Sequence, residues 1–277
     1  MNPVQSAIWY VESHFSDDLT LREIAEASGV SRYHLTRAFG VSTGCSVMRY
    51  LRARRLTEAA RSLARGAPDI LSIAISVGYG SHEAFTRAFG EHFGVSPAEV
   101  RARASTRDLD MMEPIKMDET LLDTLPPPRI EDGGRMTIAG LMERYDDETV
   151  AGIPAQWQRF VPYLGNIGGQ KGNRSYGVCC NADEDGNIDY LCGVEVSEGA
   201  DLPAGFQRVA LQDQRYAVFR HQGHISEIRR TWKTIFAKWL PDSGYRLTKA
   251  PDFELYSEDF DPVAGTGFVE IWIPIER

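Results

Sequence analysis

A short segment that could contact DNA occurs twice in the chain, at a spacing of 50 residues. Residues 36–40 read Thr-Arg-Ala-Phe-Gly, and residues 86–90 repeat them letter for letter. Each copy follows a helix-forming stretch, a turn that contains glycine, and a serine (Ser31 or Ser81) that could cap the next helix. The repeat predicts two helix-turn-helix units, in which the second helix enters the major groove and the first supports it.

Helical geometry sorts the side chains of the two predicted recognition helices. Leu35 and Phe39 lie four residues apart, as do Phe85 and Phe89, so both pairs should face the core. The other side chains should face outward, where arginine can bind guanine, glutamate can accept from cytosine, and tyrosine or threonine can contact thymine. The outward candidates for DNA binding are Arg32, Tyr33, Thr36, Arg37, His82, Glu83, Thr86 and Arg87.

The segment between the two units reads as one long helix, residues 45–64. It carries Arg49, Arg52, Arg54, Arg55 and Arg61. A rigid helix would fix the separation of the two units, so that one chain could read successive major-groove faces about 34 Å apart. The arginines would then mainly neutralise phosphates, although for any one of them a solvated helix face is an equally good interpretation.

Later in the chain, two predicted strands each carry a carboxylate beside an aromatic ring. Glu254 and Tyr256 alternate with apolar residues, and so do Glu270 and Trp272 near the C-terminus. On one partly closed sheet face, these groups would form an acidic aromatic pocket that favours flat, apolar, cationic ligands. The alternative is that both glutamates lie on a solvated face and pair with lysine or arginine.

Composition divides the chain into two units. The 277 residues carry a net charge of -9, which taken whole argues against nucleic acid. Residues 1–107, however, hold 13 Arg and 10 Asp or Glu, and the acidity belongs to the rest. We expect a helical domain over 1–107, a linker over 108–117 and an α+β domain over 118–277. The proline run at 126–128 should lead into the first strand, after a helical tail at 118–125.

Several other chemistries are not favoured. His221 and His224 have no evident third metal ligand, and residues 183–187 resemble a hairpin turn more than a calcium loop. Neighbouring Cys179 and Cys180 read as buried strand thiols. No cofactor or metal is predicted. The start of the chain lacks the pattern of a secretory signal and no apolar run is long enough for a membrane span, so a cytoplasmic, nucleoid-associated protein is expected.

Residues 8–106 resemble the AraC-type DNA-binding domain. The motif of its second unit is present as Gly78-Tyr79, residues 85–89 (Phe-Thr-Arg-Ala-Phe), residues 94–97 (Gly-Val-Ser-Pro) and Arg101. The resemblance implies an all-α domain with base contacts from Tyr33, Thr36, Arg37, His82, Glu83 and Arg87. Gly40 and Gly90 depart from the family, which often has a basic residue there, so weaker phosphate contacts are expected.

Residues 118–277 look like the GyrI-like effector-binding domain. The resemblance rests mainly on residues 216–224, the two tryptophan-containing stretches at 231–241, and the strands at 253–256 and 269–275. It implies two βαββ-like halves that form a curved antiparallel sheet with a ligand cleft, and it places Glu254 in that cleft. Further pocket candidates are Tyr256, Trp272, Tyr176, Trp157 and Glu270.

Together these features predict a sequence-specific transcription regulator that is controlled by a small apolar, aromatic or cationic effector. Two other functions remain open at this point. The second domain could instead be a hydrolase of reactive electrophiles that uses Glu254 and a tyrosine. It could also be a module that contacts a protein partner such as RNA polymerase, for which the sequence holds no distinguishing motif.

Overall fold

The computed structural model describes residues 2–67, 69–117, 124–146, 148–183, 185–262 and 264–277. Its first part is helical. The helices are α1 (Pro3–His14), α2 (Leu21–Ala27), α3 (Arg32–Thr43), α4 (Val47–Ala64), α5 (Ile70–Ser76), α6 (His82–Phe93) and α7 (Pro97–Arg103). The pairs α2–α3 and α5–α6 are the two predicted helix-turn-helix units, and α4 is the predicted connecting helix.

Local sequence fixes where these helices begin and end. The Ser31 and Ser81 side chains accept from the backbone N–H groups of His34 and Ala84, which confirms both predicted N-caps. At their C-terminal ends, α3 and α6 stop at Gly44 and Gly94, with φ of 79° and 69°. Glycine adopts this left-handed conformation without a steric penalty. The repeated sequence therefore folds as a repeated structure.

The second part is a single curved sheet with helices against one face. Its elements are β1 (Arg129–Gly133), β2 (Met136–Tyr145), α8 (Ile153–Phe160), β3 (Ser175–Cys180), β4 (Ile188–Val196), β5 (Gln207–Leu211), β6 (Gln214–His221), α9 (Ile228–Thr234), α10 (Leu240–Asp242), β7 (Arg246–Leu247), β8 (Asp252–Tyr256) and β9 (Val269–Glu276). A π-helical turn, Ile235–Trp239, joins α9 to α10. The proline run leads into β1 as predicted. Most of the predicted helical tail, 118–123, lies outside the described residues.

All strand pairs are antiparallel, and the order β1-β6-β9-β8-β3-β4-β2-β5 shows an internal symmetry. One half is β2–α8–β3–β4 and the other is β6–α9–β8–β9, and they meet where β3 pairs with β8. The expected pair of βαββ halves in a curved antiparallel sheet is therefore confirmed.

Strand register decides which side chains share a face. Glu254 lies opposite Ile271, and Phe253 lies opposite Trp272. Because side chains alternate along each strand, Glu254 and Glu270 point to opposite faces of the sheet. The prediction that the two glutamates share one face is wrong, since pairing across β8 and β9 matches even-numbered residues with odd-numbered ones.

The helical part packs directly on the sheet domain through its first unit. One apolar core includes Leu35 and Phe39 of α3 together with Trp232, Phe236 and Ile271 of the second part. The second unit has a separate core built from α4, α5, α6 and α7. The first recognition helix is thus part of an interface within the molecule, whereas the second is not.

Candidate effector cavity and DNA-binding surface

A cavity of about 610 Å³ lies between α3, α8, α9 and the helix-covered face of the sheet. This volume is in the range of pockets that hold drug-sized molecules. Its polar and aromatic lining includes Thr36, Arg37, Tyr145, Trp157, Tyr190, Trp232, Glu254 and Tyr256, and its apolar lining includes Val41, Val150, Ile153, Ile188, Ile225 and Ile228. The site therefore combines apolar and aromatic walls with charged side chains, namely Asp146, Glu254, Glu258, Arg37 and Arg229.

The Glu254 carboxylate is at the centre of a hydrogen-bond network in this cavity. Trp232 donates from Nε1 to one carboxylate oxygen at 2.9 Å. The hydroxyls of Tyr190 and Tyr256 donate to the other oxygen at 2.9 and 2.8 Å. Trp157 in turn donates from Nε1 to the Tyr190 hydroxyl at 3.0 Å. Aromatic side chains from both halves of the fold thus hold the carboxylate in place.

Three effects act on the ionisation of Glu254. Burial raises the pKa of Glu254 above its ordinary value of 4.5, while the three hydrogen bonds and the positive charge of Arg37 act in the opposite direction. The charge of Glu254 adds to burial in raising the pKa of Tyr190 and of Tyr256. The two phenols consequently stay protonated and act as donors. A cation in the cavity would favour the carboxylate form of Glu254.

Arg37 of α3 forms a buried ion pair with the neighbouring strand residue Asp252. Its Nη2 and Nε lie 2.8 and 3.2 Å from the two Asp252 carboxylate oxygens, a two-point contact. The two side chains are only 8% and 4% exposed. The guanidinium also lies over the Trp232 ring, 5.2 Å from its centroid. Arg37 of the helical part is thus held by two residues of the sheet domain.

The structure brings three of the six predicted pocket residues to the cavity. Glu254, Tyr256 and Trp157 line it, and the Trp157 and Tyr256 rings lie 4.8 Å apart. Tyr176, Trp272 and Glu270 do not line it, because they belong to the opposite sheet face. There Glu270 accepts from Arg129 at 2.7 Å and from the Trp272 indole at 3.1 Å. For Glu270, the alternative of pairing with arginine is the correct one.

Two cavity residues escaped the sequence prediction. Tyr190 and Trp232 both donate a hydrogen bond within the Glu254 network, yet neither was singled out. Tyr190 lies on β4, two strands away from Glu254, so only the sheet order could have found it. Trp232 belongs to a stretch that carries the family resemblance, so the resemblance was the signal that could have identified it.

The two recognition helices differ in exposure. In α6, His82, Glu83 and Arg87 are exposed and Thr86 is half-buried, close to the predicted arrangement. In α3 only Arg32 is exposed, Tyr33 is half-buried, and Thr36 and Arg37 are buried. The prediction that Thr36 and Arg37 lie outward is wrong in this conformation, because the sheet domain covers that side of α3.

Polar contacts hold the covered side of α3. The Tyr33 hydroxyl donates to the carbonyl of Cys179 at 3.4 Å, and the Thr36 hydroxyl donates to the carbonyl of Asp183 at 3.5 Å. The Nε2 atom of His34 lies within hydrogen-bond distance of the Thr248 carbonyl. Three strand or loop segments of the sheet domain therefore contact α3.

Most arginines of α4 form ion pairs or hydrogen bonds inside the molecule. Arg54 is buried and binds Glu12 and Glu58, and Arg61 binds Glu58. Arg55 donates to the carbonyl of Phe15 at 2.6 Å. For these three, the predicted role in neutralising phosphates is replaced by a structural one. The exposed arginines of this helix are Arg49, which pairs with Glu148, and Arg52.

The other candidate metal ligands and thiols that the sequence offered are explained by local contacts or burial. The His221 ring contacts the Thr231 hydroxyl at 2.8 Å and the His224 carbonyl at 3.1 Å. Cys179 and Cys180 are buried thiols, and burial raises the pKa of both. Within the described part of the chain, no three His, Cys, Asp or Glu residues come together as metal ligands. The helices of that same part are all too short or too polar to cross a lipid bilayer.

Comparisons with known proteins identify both parts of the chain. Residues 126–276 match the GyrI-like small molecule binding domain, and residues 24–103 match a helix-turn-helix domain. The right origin-binding protein of Escherichia coli K12 is 25% identical over 99% of this chain and 98% of its own length. The transcriptional regulator BrlR of Pseudomonas aeruginosa is 32% identical over 53% of this chain and 54% of its own.

A solved structure is also similar to the second part. It is that of SAV2435 bound to tetraphenylphosphonium, which is 23% identical and covers 54% of this chain and 93% of its own, with a TM-score of 0.46. The match to the GyrI-like domain spans more than half of the chain, and the helix-turn-helix match precedes it. The chain is therefore an AraC-family DNA-binding regulator that carries a GyrI-like effector-binding domain.

Proposed function

We propose that this regulator senses a lipophilic aromatic cation, which binds in the cavity against Glu254. The observation that carries the proposal is a carboxylate fixed by three aromatic donors inside a cavity with otherwise largely apolar walls. A cation there would gain the charge of Glu254 and the faces of Trp157 and Tyr256. A neutral ligand would provide no counterion for that charge, and Arg37, which also acts on it, is already paired with Asp252.

Binding without turnover fits the network better than catalysis. A general base must offer a lone pair to the proton it removes. Three donors already point at the Glu254 carboxylate, and Tyr190 and Tyr256 are themselves committed as donors to it. We therefore take sensing to be the function of the domain, and hydrolysis of an electrophile to be the competing outcome.

Calorimetric titration of the full chain tests the effector class. Tetraphenylphosphonium and tetraphenylborate have nearly the same shape and opposite charge, so their comparison isolates the effect of charge. The cation should bind and the anion should not. Glu254→Gln should weaken binding of the cation at least tenfold. Glu270→Gln, which alters an equally buried carboxylate on the opposite sheet face, should leave the affinity within about twofold.

Equal binding of the cation and the anion, or an unchanged affinity in Glu254→Gln, would contradict the proposal. Turnover of an aromatic electrophile that disappears in Glu254→Gln would favour the hydrolase instead. Thermal unfolding of both variants serves as the control that each remains folded.

We further propose that base contacts come from Arg32, Tyr33, Thr36 and Arg37 of α3 and from His82, Glu83, Thr86 and Arg87 of α6. The exposure of His82, Glu83 and Arg87 supports this for the second helix. Selection of duplexes from a random pool would identify the operator. Affinity for the selected duplex should fall steeply as salt rises, and an affinity indifferent to salt would contradict DNA recognition.

A further inference from the structure

We propose that α3 forms one wall of the effector cavity while it is docked on the effector domain, so that effector and DNA both favour release of this helix. The inference rests on the proposed function and deepens it, because it states how the cavity regulates DNA binding. Arg37 would then belong both to the effector cavity and to the DNA-binding surface.

The composition of the cavity wall is the first step. Thr36, Arg37, Gly40 and Val41 of α3 line the same cavity as Glu254 and Trp232. The matched GyrI-like domain begins only at residue 126, so these four residues lie outside it. A ligand that fills the cavity must therefore contact a DNA-recognition helix as well as the effector domain.

The link from Arg37 to Glu254 is the second step. Asp252 holds Arg37 with two contacts, Arg37 lies over the Trp232 ring, and Trp232 donates to Glu254. Asp252 and Glu254 are two residues apart on β8 and so share a face of the sheet. An effector bound to Glu254 would consequently lie close to the guanidinium of Arg37.

Charge gives the direction of the effect. A cation against Glu254 repels Arg37 and competes with it for the negative charge of Asp252 and Glu254. The same cation also needs the space that Thr36, Gly40 and Val41 border. Binding of a cation should therefore favour the state in which α3 has left the effector domain.

The requirement for DNA binding is the final step. A recognition helix must present its side chains to the major groove. In the docked state, Tyr33, Thr36 and Arg37 are engaged with Cys179, Asp183 and Asp252. In the docked chain only α6 presents most of its candidate side chains, since Arg32 is the one candidate of α3 that is exposed. By linkage, an effector that favours release of α3 raises the affinity for DNA, and DNA raises the affinity for the effector by the same factor.

Asp252→Asn in the full chain tests the docking independently of any effector. It removes the partner of Arg37 only in the docked state, so hydrogen exchange over residues 32–43 should accelerate. Affinity for a selected operator duplex, measured by fluorescence anisotropy, should rise at least tenfold without effector. Asp132→Asn, which breaks an exposed pair with Arg215 inside the effector domain, is the matched control and should change neither quantity.

A second variant perturbs the interface without changing charge. A Cβ at Gly186 would lie 2.5 Å from the Cβ of Ser46, at the start of α4, and the φ of Gly186 is +90°. Gly186→Asn should push the two parts apart and raise DNA affinity in the same direction. Gly199→Asn is its control, because Gly199 also has a positive φ of +76° but has nothing within 4 Å. Asparagine is chosen because it tolerates this backbone conformation.

Addition of tetraphenylphosphonium completes the test. In the wild-type chain it should raise DNA affinity at least tenfold, and in Asp252→Asn it should add little. If the cation binds at Glu254 but leaves DNA affinity and α3 exchange unchanged, or lowers them, this inference is overturned while the proposed effector class stands. If no cation binds but Asp252→Asn and Gly186→Asn still increase DNA affinity, the docking is supported and the effector class is wrong.

Discussion

At the residue scale, Glu254 is governed by two opposing influences. Burial favours its neutral form, and the donors on Trp232, Tyr190 and Tyr256 favour its charged form. The net direction is a pKa above the ordinary value of 4.5. A neutral carboxyl would attract a cation only weakly. A bound cation would therefore favour deprotonation of Glu254, the residue that binds it.

This predicts a pH dependence of effector binding. Affinity for tetraphenylphosphonium should rise as pH increases above 4.5 and through the raised pKa of Glu254, because the carboxylate forms over that window. The stability of the folded chain should change with pH in the opposite direction. The contribution of Glu254 to folding is present below its ordinary pKa and is lost as pH rises through the raised one. Calorimetric titration across this range measures the first effect, and chemical unfolding measures the second.

Glu254→Gln is the control for the pH series, since it should flatten both dependences. The nearby Cys179, Tyr190 and Tyr256 have pKa values raised by burial, so they should not titrate in the same window. A pH dependence that persists unchanged in Glu254→Gln would assign the effect to another group.

Arg87 supports a second prediction at this scale. It is exposed on α6, where it can form two hydrogen bonds with a guanine edge. Arg87→Ala should remove roughly 1–3 kcal/mol of discrimination at one base pair of the selected operator. Competition with single-base variants of the duplex measures this. Arg208→Ala in the effector domain should leave base preference intact, and a uniform loss for every sequence in Arg87→Ala would indicate a phosphate contact.

At the element scale, α4 both connects the two helix-turn-helix units and anchors them. Arg54, inside the helical part, binds Glu12 of α1 and its own-helix neighbour Glu58, and it donates to the Met112 carbonyl at 2.8 Å. Arg52, two residues earlier, is exposed. One helix thus carries an internal and an external arginine within a single turn.

Substitution of Arg54 should lower stability, whereas substitution of Arg52 should weaken DNA binding. Arg54→Ala removes a buried guanidinium from the half-buried carboxylates of Glu12 and Glu58 and should lower the free energy of unfolding by about 3 kcal/mol. Arg52→Ala should change stability by about 0.5 kcal/mol or less but weaken DNA binding and reduce its salt dependence. Chemical unfolding and salt titration of DNA affinity measure the two effects. The reverse pattern would show that Arg52 has the structural role and Arg54 the DNA-binding role.

At the scale of the whole molecule, the two parts share an apolar core. Leu35 and Phe39 of α3 pack in the same cluster as Phe219 and Ile271 of the sheet. The cluster around Phe85 and Phe89 is separate from it. The domain border defined by sequence therefore does not coincide with the border between packing units, because the first unit joins the sheet domain.

This arrangement predicts how the protein unfolds. The first helix-turn-helix unit and the sheet domain should melt together in one calorimetric transition, because neither can unfold without exposing the shared core. Asp252→Asn should separate them into two transitions, while Asp132→Asn should not. Differential scanning calorimetry, with hydrogen exchange to assign each transition, measures this. Separate wild-type transitions for the first unit and the sheet domain would contradict the shared core, whereas a separate transition of the second unit would not.

The sequence alone predicted much of this molecule. The repeat at residues 36–40 and 86–90 placed two recognition helices, serine caps fixed where they begin, and the alternation in 253–256 and 269–275 located central strands. These features depend on local geometry, which a short window of sequence contains. The resemblance to known families added the two βαββ halves and the position of Glu254 in the cleft.

The tertiary structure decided what depends on contacts between distant residues. Glu270 lies on the face opposite Glu254 because of the register between β8 and β9, which no single strand contains. Arg37 and Arg87 occupy equivalent positions in identical repeats, yet Arg37 is buried against Asp252 and Arg87 is exposed. The five residues around each arginine are the same, so this segment alone does not distinguish them, and the packing of the effector domain on α3 does.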